Sequence, residues 1–110
     1  MSFDINEVVA NMVDTIKTTV ADNWPLVKET ANDFLQDRKS RLELLASLRL
    51  QSQISDEFFL QRLQDEKDIL TSELHSIAII TKAIAQKAAN AAIDVLQNAV
   101  SSFVSTIKLV

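Results

Sequence analysis

Asp65, Glu66, Asp68, Glu73 and the single histidine, His75, fall within one short stretch of the chain. Gathered on one side, such groups could hold a divalent cation or shuttle protons. Their spacing argues against it. A helical di-iron site needs Glu and His on one face, three residues apart, whereas Glu73-Leu74-His75 sets them two apart. The other carboxylates spread around a helix, and a calcium loop needs a glycine turn in a chain that has no Gly. A solvated face, neutralised by the basic run Arg38-Lys39-Ser40-Arg41, is the expectation, with no metal and no cofactor.

Other chemistries fail for want of parts. There is no Cys, so thiolate catalysis, thiolate metal sites and disulfides are excluded. Without Gly there is no nucleophile elbow and no phosphate-cradling loop. The expectation is therefore a protein that is not an enzyme and has no catalytic residues. Trp24, beside the only Pro, could anchor a partner; core filling at a bend is the favoured reading.

The elements that must position these groups are helices. In 110 residues there is room for a single domain. Zero Gly and one Pro leave almost no residues suited to positive φ, so long helices with few connections follow. No segment alternates with period two, and the fold class expected is all-α. Asp4 and Glu7 stand where a signal peptide would carry Lys or Arg, and a cytoplasmic location is expected. The window 88–107 contains only Asp94 among charged residues but is too rich in Asn, Gln, Ser and Thr for a membrane span. A net charge of −4 argues against nucleic acid as a partner.

Three helices are expected, at about 4–22, 25–51 and 56–108. In the first, Ile5, Val8, Val9, Met12, Val13, Ile16 and Val20 share one stripe. Pro25 then either kinks the helix or breaks it, since it lacks a donor and disfavours helical geometry at Trp24. The favoured reading is a kink, making residues 4–53 one arm of a long antiparallel hairpin; a compact bundle with the first helix folded back is the alternative. Ser55, followed by Asp56 and Glu57, caps the next helix.

Charge supports the hairpin. Residues 1–35 hold six acids and two bases, net −4, against one acid and three bases, net +2, in 76–110; residues 36–50 are net +2 and 51–75 net −4. A turn near residue 53 sets Arg41 by Glu66, Arg38 by Asp68 and Arg49 by Glu57. Such exposed pairs contribute about 0.2–1 kcal/mol each, so they select register more than they stabilise.

Past residue 76 the apolar residues cover more than half the helix circumference, wider than one neighbour can shield. In a rod about 75 Å long that surface needs a second copy. The interface expected for a homo-oligomer, a dimer forming a four-helix bundle, comprises Val9, Val13, Ile16, Val20, Ile77, Ile84, Ala88, Ala92, Val95, Val100, Phe103 and Ile107. The function expected is a non-catalytic structural or protein-interaction module, for itself or another protein. The second reading is an amphipathic helical protein on a lipid or hydrophobic surface, for which Lys82, Lys87 and Lys108 supply a weak version of the usual basic edge and Phe103 of the aromatic anchor.

Overall fold

The structure is a computed structural model that describes residues 3–77 and 80–109, with side chains through residue 104. Four α-helices account for nearly all of it: α1 (Ile5–Val20), α2 (Trp24–Leu50), α3 (Asp56–Ser76) and α4 (Lys82–Leu109). No strand occurs among the described residues.

Three of the four helices, α1, α3 and α4, start where a side chain supplies a cap. Asp4 Oδ1 accepts from the Asn6 N–H at 2.9 Å, with Glu7 in the first turn and Lys17 in the last of α1, as the helix dipole favours. Ser55 Oγ accepts from the Phe58 N–H at 3.1 Å and Thr81 Oγ1 from the Ile84 N–H at 3.2 Å. Pro25 lies in the first turn of α2, where its missing donor has no intrahelical acceptor to lose.

The corners before and after α2 are turned without glycine. Ser52, at φ 58°, takes the left-handed position after α2; its N–H donates to the Arg49 carbonyl at 3.1 Å and the Gln53 N–H to the Leu48 carbonyl at 2.8 Å, the paired bonds of a Schellman ending. Between α1 and α2 a 3-10 turn, Ala21–Asn23, reverses the chain, and Ala21 adopts φ 52°, ψ −117°. Those torsions belong to the first central position of a type II′ turn, which glycine normally fills. The absence of Gly does not forbid positive φ here; it makes the chain adopt it at a cost.

The break at Ala21–Asn23 corrects the expected hairpin. The first arm does not run through Pro25: α1 folds back and packs on α2 and, most extensively, on α4. A second correction concerns residues 56–108, which are two helices. α3 ends at Ser76 and α4 begins at Lys82, so the Ala-rich half turns back on α3. Antiparallel pairs fix the order. Arg41 of α2 meets Glu66 of α3, Lys67 of α3 meets Asp94 of α4, and Phe3, just before α1, meets Phe103 late in α4. The result is an up-down-up-down four-helix ring closed between α1 and α4, with extents of 46 × 24 × 21 Å in place of a 75 Å rod.

Apolar burial explains both corrections. Ile5, Val8, Val9, Met12, Ile16 and Val20 of α1, and Ala85, Ala88, Ala89, Ala92, Ile93, Leu96 and Val100 of α4, belong to a single buried cluster with Val27, Ala31, Phe34, Leu35, Leu42, Leu45, Ala46, Phe59, Leu63, Leu70 and Leu74. In an extended hairpin α1 would touch one neighbour, whereas folded back it touches two. At about 25 cal/mol per Å² of apolar surface that difference outweighs one strained residue. The small side chains of Ala85, Ala88, Ala89 and Ala92 let α4 lie close to its neighbours.

Leu96→Ala removes a fully buried side chain from this cluster and is expected to cost about 2–5 kcal/mol. Leu44→Ala, at a position 58% exposed, should change stability by no more than about 0.5 kcal/mol. Urea denaturation followed by circular dichroism measures both.

Candidate functional site: the Arg38–Arg41–Glu66 cluster

Along α3, Phe59, Leu63, Leu70 and Leu74 keep to the inner face, and Glu66 occupies the position on that stripe where an aliphatic residue would be expected. It is the one charged residue among the described residues that is fully buried, at 0% exposure. A lone carboxylate there would be costly; two guanidinium groups compensate it. Arg38 donates twice, Nε to Oε2 at 2.9 Å and Nη2 to Oε1 at 3.0 Å, and Arg41 Nε donates to Oε1 at 2.8 Å. Both arginines come from α2 one turn apart, so the cluster bolts α2 to α3 in a single register. Arg38 also lies over the Phe34 ring, 5.6 Å from its centroid.

The remaining ion pairs follow the same antiparallel logic with shifted partners. Arg38 was expected beside Asp68 but reaches Glu66, because the inner position of Glu66 offers a desolvated partner. Asp68 instead accepts from Gln64 Nε2 within α3 at 3.1 Å. Arg49 was expected beside Glu57 and lies 3.6 Å from Asp56 Oδ1, the first residue of α3. Lys67 Nζ meets Asp94 Oδ1 at 2.8 Å and ties α3 to α4. That last pair went unread in the sequence, although a single acid in an otherwise uncharged window was its signal. Arg62 joins Asp65 at 3.3 Å and sits 5.2 Å over the ring of Phe58.

Beside the cluster an open cleft of about 340 Å³ runs between α2 and α3, lined by Thr30, Asp33, Phe34, Asp37, Arg38, Ile69 and Glu73. Its polar edge is acidic, and its one guanidinium is already engaged with Glu66. His75 is exposed at the end of α3. Among the described residues no group of three or more His, Asp or Glu side chains is arranged to hold a metal ion.

The residues expected at a dimer interface lie inside the chain's own bundle. Val9, Ile16, Val20, Ala88, Ala92 and Val100 are buried, while Val13, Ile77, Ile84 and Val95 are partly buried against the same core. Phe103 is half-buried, its ring edge-to-face with Phe3 at 5.8 Å and 82°. Ile107 lies outside the residues whose side chains are described. The reason is the fold-back: α4 has α1 and α3 on its flanks and α2 across the core, so its wide arc is covered internally. Outward-facing apolar residues lie instead on α2 and α3, among them Leu26, Leu44, Phe58, Leu60 and Ile69.

Two variants test the bolt. Removing both guanidinium groups (Arg38→Ala with Arg41→Ala) leaves Glu66 without its ion-pair partners and should cost about 3 kcal/mol or more. Adding Glu66→Met to that pair should recover most of the loss, because an apolar side chain then fills the inner stripe. Chemical denaturation of the double and triple variants decides it: a triple variant less stable than the double would mean that Glu66 does not act through its arginines.

Compared with known protein families, curated proteins and solved structures, the chain matches none of them.

Proposed function

We propose that the chain is a non-catalytic structural and protein-interaction module, cytoplasmic, that associates with further copies of itself through apolar helix faces, with a dimer as the favoured assembly. The observation that supports this reading is how the polar groups are spent. Glu66, the one fully buried charged group among the described residues, accepts three hydrogen bonds from guanidinium donors spread over both carboxylate oxygens, so it acts as a fastener. The cleft beside it is open, and its lining offers three carboxylates and one hydroxyl with no His or Cys among them.

What the bundle turns outward also fits a contact role. Phe58, Arg62, Asp65 and Ile69 recur at i, i+4, i+7 and i+11 along α3, with Arg62 stacked on Phe58. Aromatic residues and arginine are the types enriched in protein contacts. The competing association with a lipid surface draws on the amphipathic α1 and α4, whose apolar stripes would have to leave the core to reach it. No described helix is long and apolar enough to cross a membrane.

Multi-angle light scattering over a range of micromolar concentrations reads the assembly. A mass rising toward twice 12.3 kDa is expected; a constant monomer mass would contradict the proposal. Flotation with anionic liposomes, read by Trp24 emission, should leave the protein in the dense fraction. Co-flotation with a blue-shifted Trp24 would favour the lipid reading.

A further inference from the structure

We propose that two copies of this chain exchange α1, each inserting its first helix into the groove between α4 and α2 of the other, with the turn at Ala21–Asn23 as the hinge. This rests on the self-association proposed above and names its mode.

The hinge is three residues long and is strained at one of them. Val20, Asn23 and Trp24 all have right-handed helical torsions, while Ala21 stands at φ 52°, ψ −117°. A Cβ makes that region unfavourable, and nothing in the turn needs it except the reversal of α1 onto its own bundle. If Ala21 relaxes to helical torsions, α1 and α2 run on as one arm. Pro25 kinks that arm, since it has no donor for the Ala21 carbonyl, but does not forbid it. α1 then lies beyond reach of its own α4. Six buried apolar residues, Ile5, Val8, Val9, Met12, Ile16 and Val20, would be left in water. The groove they vacate is lined by the matching residues of α4, so the one surface complementary to a released α1 is the same groove on another copy. Every contact that α1 makes with α2 and α4 in the closed chain is then remade between chains, and the strain at two hinges is relieved. Short strained connections are where such exchange occurs.

Cysteine chemistry can test this cleanly, because the chain has no Cys of its own. Phe3 and Phe103 are in ring contact. The double variant Phe3→Cys/Phe103→Cys is refolded from urea at high protein concentration and treated with a short bis-maleimide. Light scattering before cross-linking and a denaturing gel after it are then read together. A dimer mass with covalent dimers on the gel is the expected result. A dimer mass with only intrachain cross-links would overturn the exchange while leaving self-association standing. A monomer mass with intrachain cross-links would overturn both. Ala21→Gly, which removes the strain from the closed chain, should raise the dimer Kd at least about fivefold. A chain lacking residues 21–23 cannot reverse at this point and should be dimeric at every concentration at which it folds. An unchanged Kd for Ala21→Gly, or a folded monomer of the shortened chain, would contradict the hinge assignment.

Discussion

A helix whose apolar residues occupy more than half its circumference must have several neighbours, and in this protein that requirement falls on α4. Its buried residues, from Ala85 to Val100, face α1 and α3 on either flank and α2 across the core. Everything else in the fold serves that coverage. The chain doubles back after Ser76 so that α3 can lie on one side, and reverses at Ala21 so that α1 can lie on the other. The alanines of α4 permit close approach of these neighbours, and the cluster they join extends through all four helices. Dispersion and apolar burial, summed over many small contacts, set the architecture.

Polar interactions do a different task. Glu66 with Arg38 and Arg41 fixes how α2 slides against α3, and Lys67 with Asp94 does the same for α3 against α4. An apolar stripe tolerates a shift by one turn, since leucine replaces leucine. A carboxylate buried on the inner face does not, because any other register leaves it uncompensated. The bundle thus draws its stability from aliphatic residues and its register from a few charges.

Much of this was legible in the chain. The all-α class follows from the missing glycine and the helical spacing, and Ser55 marks a helix start by its type and place. The antiparallel meeting of α2 and α3 was readable from charge blocks to within a few residues, because opposite charges along two helices select one alignment. Three things were not legible. The choice between a kink and a fold-back before Pro25 was hidden, because alanine is the strongest helix former and only the burial gained by α1 makes the positive φ of Ala21 worthwhile. The bend after Ser76 carries neither Gly nor Pro. The burial of Glu66 was hidden for a related reason: a glutamate on a leucine stripe reads as a gap until the arginines of another helix are placed beside it. In each case tertiary packing overrode a local signal.

The coverage of α4 by the chain's own first helix is the central claim, and small-angle X-ray scattering with in-line mass determination on dilute protein tests it most directly. A 12.3 kDa particle with a long axis near 46 Å and a Cα radius of gyration near 14.1 Å is the predicted result. A monomer of that mass scattering as a rod about 75 Å long, the length of two helical arms laid side by side, would mean that α1 does not fold back and that the account is wrong.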